Sequence, residues 1–231
     1  MSKKRHAGNI KLSGGILCLD FVNTVHCYGC TDPGEYLNTY NDLVAWSQRV
    51  GTINEKEAKI LSRKAAGHPA QAKSAHKRAI DLREAVYRIF TISLTGQSPA
   101  PEDLALFNEY LGETMMRSQI VKTKSGFYWD MTGNKEKLDW ILNPIIGSTA
   151  DLLISDEFRQ IKKCADPFCG WLFLDTSRNR SRRWCDMADC GNRAKASRFY
   201  KKNKNANIVS SSARARPARS KPKPKIERHL L

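Results

Sequence analysis

The chain has 231 residues, of which 41% are apolar and 27% charged, and a formal net charge of +16. This is enough apolar content for a buried core, so the chain as a whole is not disordered, and the length allows one ordinary domain plus a small module. No apolar run is long enough for a membrane-spanning helix, and no apolar segment of a secretory signal follows the basic start at Met1–His6, so a cytoplasmic protein with no membrane partner is expected.

Gly14-Gly15 opens an apolar run, Ile16 to Thr24, which fits a buried strand and the start of a helix equally, because periodicity does not separate them. Residues 26–38, with Gly29, Asp32, Pro33 and Gly34, read as a loop. Leu43, Trp46 and Val50 recur at helical spacing and Gly51 closes that helix. Asn54 with Glu57 forms a capping-box pattern before a helix that ends at Gly67. The clearest helix covers about residues 71–95, with Ala75, Ala79, Leu82, Val86 and Phe90 on one face. Pro101 suits the first turn of the next helix, striped by Leu104, Phe107 and Leu111. Gln119–Lys122 and Phe127–Asp130 flank a turn and predict a hairpin. A helix through Leu138, Ile141 and Ile145 is expected to kink at Pro144, and a second helical stretch runs from Ala150 to Phe158. The fold class is therefore mainly α with a few short strands (α+β), and residues 10–158 form a mainly helical domain.

The charge is uneven. Residues 193–231 hold 13 Lys/Arg against one Asp/Glu, whereas the long region before residue 160 is nearly balanced. A neutral body with one basic end suits a polyanion partner. Residues 204–231 are rich in Lys, Arg and Pro, and within them Ser210–Lys225 has almost no apolar content. They cannot offset their ordering entropy by burial and are expected to be disordered when free.

Seven cysteines are present, and a reducing compartment disfavours structural disulfides, which leaves metal binding, thiol chemistry or plain burial. Cys164, Cys169, Cys185 and Cys190 follow a C-x4-C-x15-C-x4-C pattern. Two matched pairs separated by enough chain for a hairpin close a tetrahedral thiolate shell around one zinc ion, which is structural because no coordination position stays open. An iron–sulfur cluster is the lesser alternative. Residues 170–175 suit a short strand, with Arg183-Trp184 returning as its partner and a helix following Cys190. The result is a treble-clef-like order of knuckle, hairpin, knuckle and helix over residues 159–203. Cys18 reads as core. His26-Cys27-x2-Cys30 fits a redox pair, half of a second metal site, or incidental thiols.

The segment from Cys164 through Arg182-Arg-Trp-Cys185 to Cys190-Gly191-Asn192-Arg193 resembles the CGNR zinc-finger family, and its naming motif is intact here. Leu17-Cys-Leu-Asp-Phe-Val-Asn-Thr24 resembles the opening of the ABATE domain, which precedes this finger in bacterial proteins. The resemblance implies a stress-induced transcriptional regulator with the finger as its DNA-binding part. The Lys/Arg/Pro tail and the Cys27–Cys30 group fall outside that pattern.

Candidate nucleic-acid contacts are Arg178, Arg180, Arg182 and Arg183 in the finger loop and Arg193, Lys195, Arg198, Lys201, Lys202 and Lys204 on the helix that follows. Cations there can set register on phosphates, and one or two Arg can read base edges. DNA is favoured over RNA as partner, with nucleoid association as a consequence. RNA is the alternative, with Trp171, Trp184 and Tyr200 as stacking platforms. Asp20, Asn23 and Thr24 are candidate ligand-binding residues for a small-molecule or protein effector, or else helix caps. No metalloprotease, nucleophile-elbow, P-loop or dinucleotide motif occurs, so an enzyme is not expected, and one with its site in the N-terminal domain is the last of the alternatives.

Overall fold

The computed structural model describes residues 6–28, 30–130, 135 and 137–200. The basic tail and its expected disorder, like Lys201, Lys202 and Lys204, lie outside the described residues. Of the described residues, those up to Gly191 belong to one compact unit and residues 192–200 to a second. The chain is mainly helical with short two-stranded pairings, as its composition and periodicity predict.

Among the described residues, six helices build the first unit: α1 (Leu17–Val22), α2 (Tyr40–Arg49), α3 (Glu55–Gly67), α4 (Pro69–Ser93), α5 (Pro101–Met115) and α6 (Asn143–Ile154). Their starts are written in the sequence. Thr39 and Asp42 close a capping box on α2, and Asn54 and Glu57 close one on α3. Pro69, Pro101 and Pro144 each stand in a first turn, where a missing N–H costs nothing. Pro144 thus begins α6, directly after a 3-10 turn over Leu138–Leu142, instead of kinking a longer helix.

The ambiguous run Ile16–Thr24 is helical over Leu17–Val22. A Cβ on Gly14 would lie 2.7 Å from the Asp20 nitrogen and 2.8 Å from the Leu19 carbonyl carbon, so glycine lets the preceding chain lie against α1. Asp20 Oδ1 accepts the Gly14 N–H at 2.7 Å and secures this return. The long helix α4 places Ala79, Leu82, Val86 and Phe90 in a core shared with α1, α2, α5 and the 3-10 turn.

Among the described residues, three antiparallel pairs complete the unit. β1 (Val25–His26) pairs with β2 (Gly34–Glu35), inside the segment expected to be loop. β3 (Gln119–Thr123) pairs with β4 (Gly126–Asp130) in the predicted hairpin. β5 (Ile161–Lys163) pairs with β6 (Leu172–Leu174). The strand over 172–174 therefore takes its partner from upstream, not from Arg183-Trp184, because the first knuckle forms the turn between β5 and β6. Among the described residues, no helix is long and apolar enough to cross a membrane.

Candidate metal centre

The first knuckle grows out of the β5–β6 ladder. The Cys164 N–H donates to Trp171 O at 2.8 Å, and the Cys169 N–H to Asp166 O at 3.0 Å. Asp166, itself buried, accepts the Phe168 N–H at 2.9 Å and closes the loop between the two sulfurs. The Ala165 N–H donates to Arg183 O at 2.9 Å and ties this knuckle to the chain entering the second. The second knuckle is a wide helical turn over Met187–Gly191, held by the Asp189 N–H on Asp186 Oδ1 at 2.9 Å and the Gly191 N–H on Asp186 O at 3.0 Å. Lys11, which the sequence did not single out, pairs with Asp186 at 2.8 Å and Asp189 at 2.9 Å.

Cys164, Cys169, Cys185 and Cys190 are all buried, and their sulfurs lie within 4.8 Å of one another. The Cys169–Cys185 and Cys185–Cys190 separations are 3.5 and 3.6 Å. A thiolate tetrahedron with zinc–sulfur bonds of about 2.3 Å has sulfur–sulfur edges of about 3.8 Å, so the donor set fits one zinc ion. The Cys185 N–H lies 3.4 Å from Cys164 Sγ and adds a donor to that sulfur. Hydrogen bonds from Cys169 and Cys185 pull the Cys164 thiol down. The hydrogen bond with Cys164 in turn pushes Cys169 and Cys185 up, and burial pushes Cys190 up. The cluster on its own therefore favours one thiolate, and four require a cation. Zinc supplies that charge and crosslinks the two knuckles, displacing protons as it binds.

Asp175, which sequence reasoning also passed over, organises the arginine loop. Its Oδ1 accepts the Ser177 N–H at 3.1 Å and the Ser177 hydroxyl at 2.5 Å, while Oδ2 accepts Lys162 Nζ at 2.7 Å and the Arg182 N–H at 3.0 Å. Burial pushes this carboxyl up, but Lys162, the Ser177 hydroxyl and the two N–H donors outweigh it and hold it well below the usual carboxylate range.

The loop sorts its cations. Arg178, Arg180 and Arg183 are exposed. Arg182 turns inward: its Nε donates to Trp184 O at 2.9 Å, its Nη2 donates to Cys185 O, and its guanidinium lies 4.4 Å from the centre of the Phe173 ring. No acidic residue occurs between Asp175 and Asp186. In the second unit, residues 192–200 are helical and carry Arg193, Lys195 and Arg198 exposed. Of the proposed stacking residues, Trp171 is buried and donates its indole N–H to Val25 O at 2.6 Å, Trp184 is half-buried, and Tyr200 is exposed.

Asp20, Asn23 and Thr24 are engaged by the fold. Asn23, 1% exposed, clamps Leu172 by donating to its carbonyl and accepting its N–H, both at 2.8 Å. Thr24 Oγ1 donates to Phe21 O at 2.7 Å and accepts from Arg83 at 3.2 Å. A cleft of about 590 Å³ opens elsewhere, between β4 and α6, lined in part by Tyr128, Trp129, Asp130, Asp151 and Glu157. Cys27 and Cys30 are joined by a disulfide, which fits the redox-pair reading among the three left open and not half of a second metal site; their Cα atoms are 5.5 Å apart, within bridging range.

A closed four-thiol centre built onto a helical body defines a zinc-finger protein with a structural metal. Residues 15–156 match the family model ABATE, described as "Putative stress-induced transcription regulator", and residues 160–203 match the CGNR zinc finger. The chain belongs to the ABATE family and carries a CGNR zinc finger. No curated protein matches the sequence.

Proposed function

We propose that this protein is a zinc-dependent DNA-binding transcriptional regulator. Residues 159–203 would contact DNA, residues 10–158 would receive an effector, and residues 204–231 would add sequence-independent phosphate contacts. The observation that carries this reading is the exposed triad Arg178, Arg180 and Arg183 on a loop pinned at both ends, by Asp175 and by the metal centre. A pinned loop presents cations to phosphates without an added ordering cost at binding. Arg193, Lys195 and Arg198, exposed on the helical segment of the second unit, supply further cations, and Lys201, Lys202 and Lys204 follow them in sequence. Arg182 acts as a positioning residue, because its guanidinium is occupied by the second knuckle.

DNA is preferred to RNA because Trp171 is buried and bonded, which removes one of the three stacking platforms that RNA recognition would use. For the effector, the cleft between β4 and α6 is the better-formed receptor, since the polar atoms of Asp20, Asn23 and Thr24 already serve the fold. The family description supports regulation over catalysis.

Fluorescence anisotropy of the zinc-loaded protein on duplex DNA and structured RNA across a salt series tests this reading. The expected result is tighter DNA binding, lost on chelation. Replacing both Arg178 and Arg180 with Gln should reduce the salt slope by about 2, at roughly 0.9 per phosphate contact. Equal affinity with and without metal, or a preference for RNA, would overturn it.

A further inference from the structure

Cys27 and Cys30 belong to no part of the finger motif, yet their loop packs against the metal centre. Tyr28, between them, lies on Gly170, the residue after the zinc ligand Cys169. A Cβ at Gly170 would come within 2.8 Å of Tyr28 Cβ and 3.0 Å of Tyr28 O, and Gly170 sits at φ +76°, so glycine alone fits this approach. The Tyr28 ring stacks on Tyr87 with centroids 3.6 Å apart, and the Tyr87 hydroxyl donates to Gly170 O at 3.0 Å. One residue further on, Trp171 donates to Val25 O at 2.6 Å. Residues 25–28 thus meet residues 170–171 through the Trp171 indole on Val25 O and the close approach of Gly170 to Tyr28, and Cys27 stands between those two contacts.

The two sulfurs differ in access. Cys27 is buried, while Cys30 is partly exposed beside the exposed residues 31–33. Cys27 also holds φ +63°, in the left-handed region that disfavours residues with a Cβ.

We propose that Cys27 and Cys30 form a redox-active dithiol–disulfide site whose state sets how firmly the first zinc knuckle is held. The co-reactant class is a low-molecular-weight thiol. Its thiolate attacks Cys30 Sγ, the accessible sulfur, and the Cys27–Cys30 bond breaks with Cys27 leaving as the thiolate, which then takes a proton. A second thiol attacks the mixed disulfide, releasing Cys30 as a thiol and the reductant as its own disulfide. Two electrons enter the protein and two reductant thiols become one disulfide. Opening the ring frees Cys27 from its left-handed conformation, so Tyr28 shifts from Gly170 and the loop carrying Cys169 loses its outer support. The oxidised state holds zinc firmly and the reduced state holds it loosely.

The test uses the full-length zinc-loaded protein in a series of reduced and oxidised glutathione mixtures. Differential alkylation with mass spectrometry reads the thiols, and transfer of zinc to a chromophoric chelator reads the metal. Cys27 and Cys30 should interconvert reversibly while the four zinc ligands stay protected. Zinc should leave the reduced form about tenfold faster, the scale on which lost outer-shell partners weaken metal sites. The double variant Cys27→Ser/Cys30→Ser should release zinc at the reduced rate whatever the buffer. Should it fail to fold, Cys30→Ser alone prevents the ring and keeps the buried Cys27. A pair that stays in one state throughout, or zinc release at one rate in both states and in the variants, would overturn the proposal. Neither readout involves nucleic acid, so this site and the DNA-binding reading fail separately.

Discussion

In the helical body, Phe21, Trp46, Leu82 and Phe90 are sealed from solvent within one core that α1, α2 and α4 build together. In the finger, residues 161–191, the buried apolar side chains beyond the four ligands are few: Ile161, Trp171, Leu172, Phe173 and Leu174. Trp171, Leu172 and Leu174 are tied to the body, as Trp171 on Val25, Asn23 on Leu172 and the Leu174 N–H on Gly14 O show, whereas Phe173 carries the Arg182 guanidinium. The two regions therefore reach order differently. Burial suffices for the body, whereas the outer half of the finger, from Asp175 to Gly191, depends on a carboxylate, a metal and an inward arginine. A segment this small lacks the apolar area to do otherwise.

Removing the metal is the strongest way to break this comparison. Zinc binding contributes about 10–16 kcal/mol to the folding of small fingers, and that term belongs to residues 164–190 alone. Chelation or Cys169→Ser should abolish stoichiometric zinc and expose the amides of residues 176–191 to hydrogen exchange, while far-UV circular dichroism keeps most of its helical signal. Loss of the helical signal together with the metal would show that the body also rests on the finger. Zinc affinity should fall as pH falls, because Cys169, Cys185 and Cys190 are all pushed above their ordinary thiol range and protons compete for them.

The next largest effect lies in the body, at its one deeply buried cation among the described residues. Arg83 forks onto both Glu35 oxygens at 2.7 Å and bridges Thr24, so it fastens the β1–β2 segment to α4. Arg83→Met should cost about 3 kcal/mol, near the lower end for breaking a buried pair because Glu35 retains some solvent. Urea unfolding would measure it, and a loss below about 1 kcal/mol would mean that apolar packing alone holds the segment.

At the seam between the regions, Asn23→Ala would leave the N–H and carbonyl of buried Leu172 without their partner. The expected cost is about 2 kcal/mol. Its signature is position: hydrogen exchange should quicken in β5 and β6 more than in α3 or α5, whereas uniform quickening would mean that finger and body unfold as one.

These differences also explain what could be read from the residues alone. Helices α2 to α5 were legible because periodicity and caps are local, and the zinc ligands because metal chemistry demands four donors at close spacing. The partner of β6 was not, because Ile161-Lys162-Lys163 is short and half polar, and its pairing is dictated by the knuckle between the strands. Charge counting likewise could not separate Arg182, stacked on Phe173, from the exposed arginines beside it. The roles of Lys11 and Arg83 depend on partners remote in sequence, Asp186 and Glu35.

The smallest effect tests whether locally legible features are also locally worth something. Asn54 Oδ1 accepts the Glu57 N–H at 2.9 Å and Glu57 Oε2 accepts the Asn54 N–H at 3.0 Å. Asn54→Ala should cost about 1 kcal/mol, the ordinary value of an N-cap. The hydrogen bond from Lys135 and that from the Asn54 N–H hold the Glu57 carboxyl below its ordinary value in the folded protein. Its contribution is therefore fully present above the unfolded glutamate pKa of about 4.3 and is lost as pH falls through the lower folded value. Glu57→Gln should accordingly destabilise at neutral pH and converge on the parent protein in acid. Since zinc leaves the finger in acid as well, the comparison belongs in metal-free protein, where the helical body is expected to stand and the capping box on α3 can be titrated by itself.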